Sequence, residues 1–249
     1  MRLRPRWCVL ALIMTSGCAS HRIGMSGTPP FLQVRPRYPS EPVGTFWRES
    51  FDTLSAERWR NVVVHGQTAY EAATLDGRAC VKATSHAAAS ILLTPVTFDP
   101  DQQASLSWDW RVEQPVAHEA LERKNGSDAA ARVYVYFDTR GLPWQKRGID
   151  YVWSAHLPVG TVLDSAFSSN SKILVVESGA EHVGQWRHVE RNLVEDYARC
   201  FGKRAPPNVV AIGLMTDTDN TGGDAVAYFD EVTIGRAPAG ASEIGRAHV

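Results

Sequence analysis

The sequence has no excess of either charge, no long apolar run and few cysteines. Its 26 basic and 27 acidic residues leave a formal charge of −1, so the chain lacks the basic excess that nucleic-acid binding requires. No apolar stretch approaches the roughly 20 residues that a membrane-spanning helix needs. The 19 glycines and 14 prolines fall well below the share typical of low-complexity chains, and an apolar fraction of 44% can fill a core. These absences exclude a polytopic membrane protein and a nucleic-acid-binding protein, and they favour one or two globular domains.

The N-terminus has the pattern of a secretory signal. Three arginines precede a short apolar stretch over residues 7–14, and small residues follow it. This order predicts a signal peptide over residues 1–17. Ser16-Gly17-Cys18 resembles the lipobox of bacterial lipoproteins, which implies that Cys18 carries the lipid; an ordinary signal peptide with an incidental cysteine is the alternative. The two residues after Cys18 lack the aspartate that retains many lipoproteins in the inner membrane. The resemblance therefore implies a periplasmic protein whose lipid inserts into the outer membrane.

Both ends of the chain lack the periodicity of a folded domain. Residues 18–45 contain five prolines and are interpreted as an extended tether. Residues 235–249 are predicted to be a disordered tail, and residues 243–249 look like the translation of a common sequencing adapter. The segment between, residues 46–234, is predicted to be one domain of 189 residues with 18 basic and 25 acidic side chains. Its formal charge of −7 disfavours anionic partners and is compatible with a cation site.

Period-two alternation dominates the segment between the two ends. Residues 105–113 alternate apolar Leu106, Trp108, Trp110 and Val112 with polar side chains, and residues 131–138 repeat the pattern. Such alternation is typical of half-buried strands. A helix is predicted over residues 193–201, followed by Gly202 as its C-cap. The other strands are predicted at residues 46–51, 61–65, 79–83, 90–94, 149–154, 172–177, 185–190, 209–216 and 225–234.

About eleven strands with one short helix predict an all-β fold, a jelly-roll-like antiparallel β-sandwich. Phe51-Asp52 and the segment 228–234 resemble the paired terminal strands of jelly-roll carbohydrate-binding and laminarinase-like domains. A wider resemblance rests on the segments 128–138, 151–154, 175–179, 191–197 and 215–222. These are similar, in order and spacing, to the DUF3047 family. The resemblance implies a secreted bacterial protein of unknown function and supplies no catalytic residues.

Two cysteines remain in the mature domain, Cys80 and Cys200. In an oxidising periplasm they can form a disulfide, which would stabilise the fold by about 4–5 kcal/mol in the chain-entropy model. Two buried thiols are the alternative, because the sequence does not show whether their Cα atoms approach within about 7 Å.

The polar faces of the two long strands carry the candidate ligand-binding residues. Aromatic rings that stack on sugars, with carboxylates and guanidinium groups that bind hydroxyls, suit a glycan groove. A solvated outer face with cross-strand ion pairs is the alternative. A tryptophan at the tip of a Gly-Leu-Pro-Trp loop joins this set, whereas the other tryptophans outside the long strands are interpreted as core residues. The predicted ligand-binding residues are Asp109, Arg111, Arg132, Tyr134, Tyr136, Asp138 and Trp144.

An Asp-rich loop near the C-terminus suggests a Ca²⁺ site. Asp217, Asp219, Asn220 and Asp224 place oxygen ligands at spacings like those of the first half of an EF-hand loop, but position 12 holds Tyr228 instead of the bidentate glutamate. Asp52 and Asp230 on the terminal strands form a second candidate pair. The alternative for both sets is turn formation, since Asp and Asn side chains cap their own backbone. No other cofactor is predicted.

No recognised catalytic motif is present in the sequence. It has no G-x-S-x-G elbow, and its histidines show no metal-binding spacing. We therefore expect a monomeric, non-catalytic β-sandwich that binds a glycan or another envelope component and contacts the membrane through its lipid. A glycan hydrolase or lyase that uses Asp109, Asp138 or Tyr134 is the first alternative. A structural envelope protein without a small ligand is the second.

Overall fold

A computed structural model describes residues 45–139, 146–202 and 205–236. The predicted signal peptide, Cys18, nearly all of the tether, Trp144 and the tail after Arg236 lie outside these residues. No helix within the described part of the chain is long and apolar enough to cross a membrane.

The described residues form thirteen strands and one helix. Every predicted strand and the predicted helix is present, and two further short strands occur. The elements, in chain order, are β1 (Thr45–Glu49), β2 (Arg60–His65), β3 (Ala69–Leu75), β4 (Arg78–His86), β5 (Ala89–Phe98), β6 (Ser105–Val112), β7 (Ala129–Phe137), β8 (Arg147–Ser154), β9 (Val162–Asp164), β10 (Ser171–Ser178), β11 (Arg187–Asn192), α1 (Leu193–Phe201), β12 (Val209–Asp217) and β13 (Asp224–Gly235).

The strands form two sheets that pack face to face, which confirms the predicted β-sandwich. The six-stranded sheet has the order β11-β6-β13-β4-β3, and β1 pairs with β13. The seven-stranded sheet has the order β2-β5-β12-β7-β8-β10-β9. All pairs are antiparallel except β8 with β10, which are parallel.

The inner faces of the two sheets form the main core. The apolar side chains of β6 are completely buried, as the alternation predicts, and so are Val133, Val135 and Phe137 of β7. Trp108 contacts Tyr151 with ring centroids 5.3 Å apart, and Trp110 contacts Trp153 at 6.0 Å. Aromatic pairs across the two sheets therefore fix the spacing of the sandwich.

Helix α1 begins and ends at capping residues. The side-chain oxygen of Asn192 accepts hydrogen bonds from the backbone amides of Val194 and Glu195, and Gly202 ends the helix in the left-handed conformation. A glycine there avoids the steric cost that a side chain would carry. The helix buries Leu193 and Tyr197 against the core.

The two strands that the pattern does not predict are β3 and β9. Strand β3 is rich in alanine and mostly exposed, so it lacks the apolar alternation of a half-buried strand. It forms because Asp76 and Gly77, both with positive φ, make the tight turn of a hairpin with β4. Strand β9 has three residues and pairs only with β10.

The described structure contains Cys80 and Cys200 as free, buried thiols, so the disulfide alternative is wrong for this fold. Cys80 lies on β4, where its thiol contacts the carbonyl oxygen of Ala73, and Cys200 packs into the core from α1. Burial raises the pKa of both thiols, that of Cys200 to about 12, so neither is a reactive thiolate.

We therefore expect the melting temperature to be the same with and without a reducing agent such as dithiothreitol. A disulfide would contribute about 4–5 kcal/mol in the chain-entropy model, so its reduction would lower the melting temperature by many degrees. The free-thiol structure would be contradicted if dithiothreitol lowered the melting temperature of the parent protein but not that of a Cys80→Ala, Cys200→Ala double variant.

Candidate functional site

The sequence-predicted ligand-binding residues divide between the two outer faces of the sandwich. Asp109 and Arg111 lie on β6 in the six-stranded sheet, whereas Arg132, Tyr134 and Tyr136 lie on β7 in the seven-stranded sheet. The apolar sides of both strands meet in the core, so their polar sides point away from each other. A single groove that joins the two polar faces does not form.

Arg132 is buried in an ion cluster and is not open to a ligand. It is 2% exposed, its Nη1 donates to Asp150 at 2.5 Å, its Nε donates to Asp217 at 2.9 Å, and its Nη2 donates to the carbonyl oxygen of Ser127 at 2.8 Å. Burial lowers the pKa of Arg132, but the two carboxylates outweigh burial and hold the pKa well above its usual value. The guanidinium is therefore a structural cation that joins β7 to β8 and β12.

Tyr134 and Tyr136 lie side by side on the outer face of β7. Their rings are stacked in parallel with centroids 5.7 Å apart, and the Tyr134 hydroxyl donates to the sulfur of Met215 at 3.5 Å. Burial raises the pKa of both hydroxyls. Both side chains are half-buried, so only part of each ring is open for stacking on a sugar. Asp138, just after β7, forms an ion pair with Lys146.

The outer face of the six-stranded sheet contains a depression, lined by polar and charged residues, that we call the trough. Its floor consists of small side chains on paired strands: Ser107 lies opposite Thr233, and Ser105 and Thr45 lie opposite Gly235. The trough has a volume of about 430 Å³. The residues that line it are Thr45, Ser105, Ser107, Asp109, His188, Glu190, Glu231, Thr233, Gly235 and Arg236.

Charged side chains from β11 and β6 form one wall of the trough. His188 lies opposite Asp109 in the register, and its Nδ1 donates to the Asp109 carboxylate at 2.6 Å. Glu190 lies opposite Ser107 and accepts a hydrogen bond from the Ser105 hydroxyl at 2.8 Å. The wall therefore presents two carboxylates and an imidazole toward hydroxyl groups on the floor.

Arg78 anchors the centre of this face. It forms ion pairs with Asp109 and with Asp230, whose contact with the Arg78 Nε is 2.6 Å long. Burial lowers the pKa of Arg78, but its hydrogen bonds to the two aspartates raise it above the usual value. Burial raises the pKa of Asp230 to about 6, although Arg78 opposes that shift. Asp109 is thus bound by two side chains, Arg78 and His188.

An aromatic pair lies beside this ion cluster. The Arg78 guanidinium stacks over the ring of Trp186 at 4.5 Å, and Trp186 contacts Tyr228 with centroids 6.4 Å apart. Both rings are half-buried. Trp186 precedes β11 and does not fill the core, so its interpretation as a core residue is wrong. Arg111, on the same face, pairs with Asp76 at 2.9 Å and with Glu113 at 3.0 Å.

A β-bulge in β13 directs a further acid to this face. The pairing of β13 with β6 shifts between Asp230 and Thr233, and Glu231 has φ of +52°. The extra residue turns Glu231 toward the trough, where Arg48 binds its carboxylate through two hydrogen bonds of 2.5 and 2.6 Å. Bulges commonly redirect side chains in this way beside binding sites. The sequence pattern of β13 contains no signal for this shift.

The structure brings together only some of the residues in each predicted group of Ca²⁺ ligands. Asp217 and Asp219 lie near Asp128, with ligand oxygens within 4.8 Å of one another. Asp224 lies elsewhere, where it pairs with His86 at 2.6 Å. Asp52 and Asp230 line one depression of about 250 Å³, but Asp52 accepts a hydrogen bond from Ser50 and Asp230 pairs with Arg78.

Asp128, which the sequence pattern does not predict as a site residue, lies directly before β7 and binds the Asp-rich loop. Its carboxylate accepts hydrogen bonds from the backbone amides of Asn220 and Thr221 and from both of their side chains, at 2.7–3.2 Å. Burial and the charge of Asp128 raise the pKa of Asp217 to about 7, although Arg132 opposes the shift. The Asp128 oxygens already have protein donors, and Ca²⁺ binding stays a prediction.

The described residues define a two-sheet β-sandwich with an open polar face that carries a trough, an ion cluster and a pair of aromatic rings. The family model described as "Protein of unknown function (DUF3047)" matches residues 57–233. The chain belongs to this family, as the sequence resemblance indicates. Comparison with curated proteins finds no match.

Several solved structures are similar in fold at very low identity. The family 30 carbohydrate-binding module of a cellulosomal cellulase from Clostridium thermocellum is 11% identical, covers 81% of this chain and 96% of its own, and has a TM-score of 0.39. The xyloglucanase domain of a type three effector from Sinorhizobium fredii is 8% identical, covers 73% and 95%, and has a TM-score of 0.44. An endo-β-1,4-glucuronan lyase from the fungus Trichoderma reesei is 9% identical, covers 78% and 96%, and has a TM-score of 0.39.

Proposed function

We propose that the domain binds a glycan of the bacterial envelope in the trough of the six-stranded sheet. The observation that carries this proposal is the composition of the trough. Small hydroxyl side chains form its floor, carboxylates and an imidazole form its wall, and Trp186 and Tyr228 lie on the same face. A sugar needs acceptors and donors for its hydroxyls and an apolar surface for its C–H groups, and this face offers all three.

The charges on this face favour a neutral or basic sugar. Asp109 and Glu231 are paired with arginines, whereas Glu190 is bound to the neutral hydroxyl of Ser105. A carboxylate accepts hydrogen bonds from sugar hydroxyls more strongly than a neutral oxygen does. The acidic balance of residues 46–234 further disfavours a polyanion. Glu190 is therefore the side chain that contributes most to sugar binding.

We also propose that the domain lies in the periplasm, attached to the outer membrane by its N-terminus. Acylated Cys18 would anchor the chain to the outer membrane, and residues 18–45 would hold the domain away from the lipid surface. Anchoring of this kind needs more than one acyl chain, because a single chain binds only marginally. In the periplasm the trough would meet envelope polysaccharides, and we expect the domain to bind them as a monomer.

Replacing Glu190 with glutamine is expected to weaken sugar binding at least about tenfold, because a hydrogen bond to a charged group contributes about 1.5–3 kcal/mol. Replacing Trp186 with alanine removes the apolar ring surface of this face and is also expected to weaken binding. A glycan array identifies the ligand, and isothermal titration with that ligand measures the change. Glu71→Gln is the matched control, since Glu71 is an exposed glutamate on β3 of the same sheet. Equal affinity of all three variants would reject the trough as the site. Absence of any bound glycan would favour a structural role instead.

A further inference from the structure

The pair of His188 and Asp109 has the arrangement of a base with its orienting acid. A carboxylate can only accept, so the contact of 2.6 Å requires that the His188 Nδ1 carries the proton. In the neutral imidazole the other ring nitrogen, Nε2, is then the proton acceptor. The remaining Asp109 oxygen is bound by Arg78, so the acid is fixed and the ring is held in one tautomer. The His188 side chain is 61% exposed in the trough.

A serine lies next to this pair on the same face. Ser107 precedes Asp109 by two residues on β6, and it lies diagonally across from His188 because His188 is opposite Asp109 and Glu190 is opposite Ser107. Diagonal neighbours in an antiparallel sheet are about 7–8 Å apart at Cα, within reach of a ring side chain. Within the part of the chain that the structure describes, the Ser107 hydroxyl forms no hydrogen bond, with His188 or any other group. Contacts between a nucleophile and its base often close only when substrate binds.

We propose that Ser107, His188 and Asp109 form a nucleophilic site that hydrolyses carboxylic esters, with acyl groups on the bound sugar as the substrate class. The choice of an acylated sugar rests on the proposed function, whereas the ester chemistry does not. Triads of this kind are recognised by geometry and roles, and they recur on unrelated folds without a shared sequence motif. The absence of a G-x-S-x-G elbow therefore does not exclude one here.

The reaction proceeds in two balanced steps. In the first, the His188 Nε2 takes the proton of the Ser107 hydroxyl as Oγ bonds to the ester carbonyl carbon. The bond from that carbon to the alcohol oxygen breaks, and the imidazolium gives its proton to the leaving alcohol. In the second, His188 takes a proton from water as the water oxygen bonds to the acyl carbon. The bond between Oγ and the acyl carbon breaks, the serine regains its proton, and a carboxylic acid leaves.

Two arginines support this chemistry. Arg78 holds Asp109 in place through its ion pair and is a positioning residue. Arg236 lines the same trough and is exposed, so its guanidinium is the cation available to the oxyanion that develops on the carbonyl oxygen. Arg78 therefore positions the acid, and Arg236 supplies the positive charge.

The test uses the purified full-length protein with p-nitrophenyl acetate, a small ester that needs no sugar site. We expect release of p-nitrophenolate above background and covalent labelling of Ser107 by a fluorophosphonate. Ser107→Ala and His188→Asn should each lower the rate at least about 100-fold. His86→Asn is the matched control, because His86 forms an equal contact of 2.6 Å with Asp224 on the same sheet but lies outside the trough.

Two results would overturn the proposal: no hydrolysis by the parent protein, or equal rates for the parent and Ser107→Ala. Sugar binding by the parent protein is measured in parallel, with a glycan that carries no ester. Binding without hydrolysis would leave the proposed glycan-binding function standing and remove the esterase. Hydrolysis that depends on Ser107, without any bound glycan, would support the nucleophilic site and remove the sugar as its substrate.

Discussion

Replacing Arg132 with methionine is expected to lower the free energy of unfolding by about 3–5 kcal/mol, the usual cost of removing one partner from a buried ion cluster. The change leaves the carboxylates of Asp150 and Asp217 buried without their cation. Urea denaturation at neutral pH measures the loss. Because the guanidinium is 2% exposed, we expect the effect on stability and not directly on ligand contact.

The loss should depend on pH in a defined direction. Burial raises the pKa of Asp217 to about 7 in the folded parent, against about 3.9 in an unfolded chain. The folded state therefore binds the Asp217 proton more tightly than the unfolded state does. The stabilisation that this proton gives the folded state is complete below about pH 4 and is lost as the pH rises through 7. Removing Arg132 raises this pKa further, since the opposing cation is gone. The difference between variant and parent should be smaller at pH 5 than at pH 8.

Arg111→Met is the matched control for Arg132→Met. Arg111 also pairs with two acids, but those acids are exposed on the six-stranded sheet, so its loss should cost less than about 1 kcal/mol. If Arg132→Met kept the parent's stability and lost sugar binding, the sequence-based interpretation of Arg132 as a ligand-binding residue would be right after all.

Strand β7 shows that alternation predicts the burial of only one side of a strand. Period two correctly predicts that Val133, Val135 and Phe137 face the core, but it treats the other side of the strand as solvated. In the structure that side is covered as well. Val152, opposite Arg132 in the register, packs with Leu121 and other apolar residues in a second cluster outside the main core. A local pattern cannot show which distant loop covers a strand.

The sequence pattern does not predict the trough, for a related reason. Strands β6 and β7 follow each other in sequence, yet they belong to different sheets, so residues that look like one polar surface are separated by the core. The trough instead joins β1, β6, β11 and β13, which are far apart along the chain. The alternation along β6 predicts Asp109 as a site residue. It cannot predict the partners Arg78 and His188, because their proximity follows from strand order and register. Trp186 and Glu190 were within a predicted strand, and only the register shows which way they face.

Substitution of Asp128 separates a structural carboxylate from a metal ligand. Asp128 is completely buried, and its side chain accepts hydrogen bonds from two backbone amides and two side chains of the loop that follows β12. In Asp128→Ala these donors lose their acceptor. A fully buried donor left without a partner costs about 1–3 kcal/mol. Asn220 and Thr221 are half-buried, so water replaces part of the loss and we expect a decrease of roughly 2–4 kcal/mol in the free energy of unfolding for the four donors together. Asp128→Asn keeps one acceptor oxygen and should lose about half as much.

Calcium tests the competing interpretation of the same loop. If protein donors satisfy Asp128, the melting temperature of the parent should be the same in millimolar Ca²⁺ and in EDTA, and Asp128→Ala should be equally destabilised in both. If Asp128, Asp217 and Asp219 bind Ca²⁺, the parent should melt at a higher temperature with Ca²⁺, because a ligand that binds the folded state stabilises it by mass action. That increase should then vanish in Asp128→Ala. A stabilisation by Ca²⁺ that survives Asp128→Ala would place the metal elsewhere on the chain and leave the structural role of Asp128 intact.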